Sequence, residues 1–287
     1  MNSGPAIDPT TFKNATRAQW DKSAEGWSDS GALIRDWLLK PTEVMLEMAQ
    51  LSPGFRVLDV AAGAGDQTLD IARRIGPDGS VLATDLSPAI INLAKENAQR
   101  AGLDNVETAV ADGEHLEVPE ASFDAAICRL GLMFFPDPLK GLRGMFGALK
   151  PGGRASVMVF SVPEANPCVS ILMSTALWHA GLPMPNPAQP GGLLSLGRAG
   201  RIDELFEKAG FSSIATVKMS APFRLPSVGD YLAFIRSSAS PVLQILDRLD
   251  STAKAAAWVE IERKLAAFTT DTGWEGPNEL LVASGRR

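Results

Sequence analysis

Arg56-Val-Leu-Asp-Val-Ala-Ala-Gly-Ala-Gly-Asp-Gln-Thr68 is the stretch on which the fold turns. Arg56 to Val60 is short, apolar and β-branched, as a central parallel strand buried on both faces requires. Asp59 falls at its carboxyl end, the edge where open α/β sheets bind ligands. Gly63 and Gly65 then permit a tight turn and a close backbone approach that side chains would obstruct. A helix starting near Asp66 would point its free N–H groups at the same place.

Two ligands suit such a turn, a dinucleotide or S-adenosylmethionine (SAM). The dinucleotide fingerprint places a third glycine three positions after the second, where helix packs on strand. Here that position is Thr68. A pyrophosphate also needs a helix N-terminus free of negative charge, and Asp66 puts a carboxylate there. SAM has no phosphate and carries a positive sulfonium, so the acidic turn favours it.

At 287 residues the chain fits one large α/β domain with insertions. An apolar fraction of 45% and a charged fraction of 21% are those of a globular chain, and a net charge of −6 disfavours nucleic acid as a partner. The N-terminal residues lack the basic and apolar regions of a signal peptide, and no apolar run is long enough to span a bilayer. Cys128 and Cys168 are too few for a disulfide framework, and His115 and His179 too few for a histidine-rich metal site. The expectation is a cytoplasmic protein without metal. A homodimer remains open.

Outward from the quoted stretch, strands and helices alternate. Residues 16–50 read as helical, with Pro41 opening a helix of its own. Strands are expected at Ser80–Thr84, Val106–Ala111, Phe123–Cys128 and Ala155–Phe160, with a helix N-capped by Ser87 and another entered at Asp137-Pro138. After Ser161 the rhythm breaks. Residues 162–200 read as a Pro- and Gly-rich lid insertion, 201–225 as a core helix and strand, and 226–275 as a helical lid insertion. Residues 276–287 carry a last core strand near Glu279–Ala283. The fold class is thus α/β, a Rossmann-like doubly wound sheet over 51–161 with its later strands added, flanked by an N-terminal helical lid (1–50) and the two insertions.

Val57-Leu-Asp-Val-Ala-Ala-Gly-Ala-Gly-Asp66, Ala83-Thr-Asp-Leu-Ser-Pro88, Ala111-Asp-Gly-Glu114, Phe123-Asp-Ala-Ala-Ile-Cys128 and Leu149-Lys-Pro-Gly-Gly153 occur in this order. Together they resemble the class I SAM-dependent methyltransferases, most closely the small-molecule group that includes ubiquinone and menaquinone C-methyltransferases. The resemblance spans about residues 55–160 and implies a seven-stranded sheet whose last strand is antiparallel. It also implies SAM as cofactor. Asp85 would accept hydrogen bonds from the ribose hydroxyls, a task suited to a carboxylate's several acceptor sites. Asp112 and Gly113 would meet the adenine, with Leu86 flanking it. Asp59 would lie near the methionine end beside Gly63, Gly65 and Gln67. Ala61 stands where the family often has glycine. Trp20 and Trp27 fall where related enzymes carry an N-terminal lid, although both residues also suit plain helix packing.

Arg129 follows the fourth strand and could hold a carboxylate of SAM or substrate, or pair with a neighbouring acid. His179 is a weak candidate for a catalytic base, an imidazole being poised near neutral pH. The function expected is methyl transfer from SAM to an oxygen or carbon nucleophile of a small, largely apolar metabolite. Two alternatives stand beside it: a SAM-binding protein without methyl transfer, and an NAD-dependent dehydrogenase.

Overall fold

The computed structural model describes residues 8–186, 189–238 and 240–287. Its frame is a seven-stranded sheet in the order β3-β2-β1-β4-β5-β10-β6. These strands are β1 (Arg56–Val60), β2 (Ser80–Asp85), β3 (Val106–Val110), β4 (Phe123–Arg129), β5 (Leu149–Phe160), β6 (Ser212–Ser220) and β10 (Glu279–Arg286). Neighbours from β3 to β5 pair in parallel, and β10 runs antiparallel between β5 and β6. The order reverses at β1, where β2 lies on one side and β4 on the other. A ligand crevice opens at such a switch point, beyond the carboxyl ends of the strands.

The helices crossing between parallel strands are α3 (Asp66–Ile75), α4 (Pro88–Arg100) and α5 (Pro138–Ala148); α7 (Arg201–Ala209) precedes β6. Their entries follow local chemistry. Ser87 accepts from the Ile90 N–H and Asp137 from the Lys140 N–H, each followed by proline at the first helical position. Gly65 enters α3 with φ +90°, and a Cβ there would lie 3.0 Å from that of Ala94. Backbone conformation and helix packing both demand glycine at this position.

Two N-terminal helices, α1 (Pro9–Asp29) and α2 (Gly31–Met48), precede the sheet. Pro41 does not open a helix as its sequence context suggested; it lies inside α2. Its missing N–H removes one helical bond. The burial of Ile34 and Leu38 before it and Met45 and Leu46 after it holds the helix together across the gap.

The insertions differ from expectation in content. Within 162–200, α6 (Pro167–His179) is a helix that its sequence hid, because Cys168, Val169, Ile171, Leu172, Met173 and Leu177 leave no single apolar stripe. Within 226–275, α8 (Val228–Ser238), α9 (Ser240–Leu246) and α10 (Ser251–Leu265) are helical as expected. This segment then ends in strand rather than helix: β8 (Thr269–Thr270) and β9 (Gly273–Gly276) join β7 (Phe223–Leu225) in a small sheet. Strands of two to four residues are too short to show alternation in sequence. Trp274 of β9 is buried, donates its indole N–H to the Leu265 carbonyl at 2.8 Å and stacks on Tyr231.

Asn166, fully buried ahead of α6, ties this insertion to β10. Its amide donates to the Glu279 carbonyl, at 3.1 Å, and accepts from the Glu279 N–H, at 3.0 Å; it also donates to Val162 O and Ser161 Oγ. The side chain thus imitates a strand partner at the start of β10. Asn166→Ala should cost about 2–4 kcal/mol in urea denaturation, since several buried polar groups lose their partner at once.

Candidate active site

The carboxyl ends of β1, β2 and β4 border a cavity of about 190 Å³, roofed by α1, α2 and the insertions. Val60 pairs with Thr84 and Asp59 with Ile127, so the residues following these three strands converge on one edge. Ala61, Gly63, Gln67, Asp85, Leu86, Asp112, Gly113 and Arg129 line the cavity, and Trp20 reaches it from α1. Residues far apart in the chain are thereby brought to one site.

Asp85 accepts from the Gly63 N–H and the Ser87 N–H, both at 3.0 Å, one on each carboxylate oxygen. Burial pushes its pKa up, and these backbone donors pull against that rise. Each oxygen keeps a further acceptor direction. Gly113 meets the ring of Phe135, and a Cβ there would come within 2.3 Å of it. Ala61 adopts φ +55° and Leu130 φ +57°, both on the cavity wall. This left-handed geometry costs glycine nothing, which accounts physically for the family's frequent glycine at position 61.

Three expected site residues lie elsewhere. Asp59 is fully buried and does not border the cavity; its carboxylate accepts from Thr68 Oγ1 at 2.6 Å and Gln67 Nε2 at 3.2 Å. It braces the glycine turn from behind. Gly65 packs on α4 rather than facing the cavity. His179 sits outside the cavity at the end of α6, with Nε2 2.8 Å from Glu260 of α10, and its role as a base at this site is set aside. Residues adjacent in sequence here point to different sides of one turn or one helix.

Arg129 is buried at the cavity wall and donates to Thr42 Oγ1 at 3.0 Å. Burial lowers its pKa, and the carboxylates of Asp66 and Asp59 oppose that shift. A guanidinium remains charged at neutral pH under such conditions. Asp66 is turned toward Arg35, 3.7 Å away.

Sequence reading brought α1 to the site through Trp20 but missed its polar contacts there. Lys13 lines the cavity and forms ion pairs with Asp112 at 2.6 Å and the buried Glu114 at 2.5 Å. Burial alone would lower its pKa, but the two carboxylates carry it above the ordinary lysine value. Asp21 accepts from Ser87 Oγ and the Ala89 N–H, clasping α1 to the entry of α4. Trp20 meets Trp27 and Phe134 edge to face, with centroids 5.6 and 5.8 Å apart. Glu114 already stood inside a recognisable motif; Lys13, 99 residues from Asp112, carried no local signal.

The strand order and this crevice are those of class I SAM-dependent methyltransferases. The chain belongs to the ubiE/COQ5 methyltransferase family, whose model matches residues 35–182 and whose methyl donor is SAM. The ubiquinone/menaquinone biosynthesis C-methyltransferase UbiE of Pasteurella multocida is 36% identical over 127 residues, 44% of this chain and 47% of that protein. The chain spans about half the length of the curated relatives it matches. In fold it is similar to the YcgJ protein of Bacillus subtilis, with TM-score 0.58, 19% identity, and coverage of 86% of this chain and 97% of the other. The [4+2]-cyclase SpnF has the same fold, with TM-score 0.54, 21% identity, and coverage of 86% and 79%.

Burial raises the pKa of Asp59 to about 6, against the pull of the Thr68 and Gln67 hydrogen bonds and of Arg129. The folded value lies above the ordinary 3.8, so the stability tied to its proton is complete below that value and lost as pH rises through about 6. Asp59→Asn cannot titrate. In urea denaturation the wild type should therefore lose up to about 3 kcal/mol relative to Asp59→Asn between about pH 4 and pH 7.

Proposed function

We propose that this chain transfers the methyl group of SAM to an oxygen or carbon nucleophile of a small, largely apolar metabolite. One observation carries the reading. A single cavity joins a polar floor, with Gly63, Asp85, Asp112 and Arg129, to an aromatic roof that includes Trp37, Phe223 and Phe234.

The floor fits SAM. Asp85 is held by two backbone N–H groups and retains acceptor directions for the ribose hydroxyls. Asp112 would accept from the adenine amino group, sharing its charge with Lys13, and Gly113 lets the Phe135 ring pack close beside it. Arg129 would hold the methionine carboxylate, because Lys13 is already engaged by two acids. Asp59 acts through Gln67, fixing the turn that Gly63 completes.

SAM supplies an electrophilic methyl group on a positively charged sulfur. The chain's residues hold the acceptor in line with it and exclude water. The aromatic contacts of Trp20 and Trp27, with Phe234 6.3 Å from Trp27, suit that second task. Residues 1–50, 162–200 and 226–275 act as the lid through which ligands pass, with Lys13 and Asp21 as its fastenings.

An NAD-dependent dehydrogenase is disfavoured at two positions. Thr68, in place of the third glycine, uses its hydroxyl on Asp59, and Asp66 keeps a carboxylate at the N-terminus of α3. A SAM protein without methyl transfer stays as the second reading, since the fold is also that of a [4+2]-cyclase.

Methyl-labelled SAM, incubated with the protein and a small-molecule extract, should place label in the organic-soluble fraction. Label confined to macromolecules would overturn the substrate class. In the same assay Asp85→Ala should abolish transfer, and its Kd for SAM should rise about 100-fold with the thermal transition retained. An unchanged Kd would remove Asp85 from the cofactor site.

A further inference from the structure

The roof of the cavity is almost wholly apolar, and its few polar side chains can be followed one by one. Trp37 donates its indole N–H to the Ala221 carbonyl at 2.7 Å and stacks on Phe223, centroids 4.1 Å apart. Ser238 donates its hydroxyl to the Phe234 carbonyl at 2.5 Å. Thr16, Trp20 and Trp27 of α1 also line the cavity but are only half-buried. Tyr231, the chain's single tyrosine, is the buried residue of the roof whose polar atom has no such partner among the described residues.

Tyr231 is 1% exposed and is held in place on both sides. Its ring stacks on Trp274, with centroids 4.6 Å apart and planes at 26°, and meets Phe223 at 5.1 Å. Its hydroxyl makes no hydrogen bond among the described residues, yet it is not one of the side-chain atoms sealed off without a partner. Tyr231 lines the cavity, with the Cys168 thiol as the titratable group nearest its hydroxyl. A rigidly held phenol facing an apolar chamber is a hydrogen-bonding group awaiting a ligand, because leaving a buried hydroxyl unpaired is costly.

We infer that Tyr231 is the polar anchor of the acceptor substrate, donating a hydrogen bond to a hydroxyl or carbonyl oxygen on a neutral, otherwise apolar molecule. The inference rests on the methyltransferase reading only in calling the ligand an acceptor substrate. The charge balance points to a neutral molecule. Lys13 is paired with Asp112 and Glu114, and Arg129 lies at the floor beside the strand ends, so the roof residues offer no ionic partner. Burial also holds the phenol well above its ordinary pKa, so Tyr231 acts as a donor and not as a base. Apolar walls give such a ligand affinity and one directed bond gives it orientation, the usual division of labour in small-molecule sites. A pocket built around one such bond discriminates against analogues lacking the oxygen.

The test uses 4-fluorophenol and fluorobenzene as probes, followed by fluorine NMR with and without S-adenosylhomocysteine. Tyr231→Phe keeps both ring contacts and removes only the oxygen. It should weaken 4-fluorophenol binding about 3- to 10-fold and leave fluorobenzene unchanged. Equal weakening of both probes, or no change in either, would overturn the inference. The wild type gives an independent readout, because tyrosine labelled with carbon-13 at Cζ yields a single resonance. That resonance should move with 4-fluorophenol and much less with fluorobenzene; equal responses would count against the anchor. A wild type that binds no S-adenosylhomocysteine yet keeps the Tyr231 response would overturn the proposed function and leave the anchor standing.

Discussion

A carboxylate with no access to solvent sits behind the glycine turn. Asp59, on the central strand, holds Thr68 and Gln67 of α3, so strand, turn and helix are locked as one piece. The arrangement is expensive in isolation, since a buried charge must find donors or give up its ionisation. Two side-chain donors and the nearby Arg129 offset part of that cost, and burial still raises the pKa of Asp59 to about 6. With the turn held from behind, the Gly63 N–H points to Asp85 and the Asp85 carboxylate is presented to the cavity. The floor of the cavity thus depends on a residue that does not border it.

The roof obeys a different logic. Its walls come from α1, α2, the 162–200 insertion and the 226–275 segment, which meet over the switch point of the sheet. They are pinned by a few specific polar contacts among many non-directional apolar ones: Lys13 to Asp112 and Glu114, Asp21 to Ser87, Asn166 to the start of β10. Hydrophobic burial supplies most of the cohesion, and polar pairs decide which surfaces face each other.

Much of the core was legible in the sequence because its signals are local. The apolar run at Arg56–Val60 and the helix entries at Ser87 and Asp137 act within a few residues, and the structure places them as read. Where local signals mislead, tertiary burial has overridden them. Pro41 is carried inside a helix by the apolar residues on either side, and α6 is apolar on too many faces to show a period. The three short strands β7, β8 and β9 acquire their identity only from pairing with each other.

By itself, then, the sequence determined the α/β alternation, the glycine turn, the acids at the strand ends and the family, because strands, caps and turns are written in neighbouring residues. Tertiary structure alone decided which of those acids face the cavity. Asp85 and Asp112 do; Asp59 faces inward, a matter of side-chain direction at the strand's end. It also decided that Lys13 meets Asp112, that His179 turns to Glu260 away from the site, and that Tyr231 borders the cavity. Each of these joins residues on separate elements, and only the packing of those elements brings them within bonding distance.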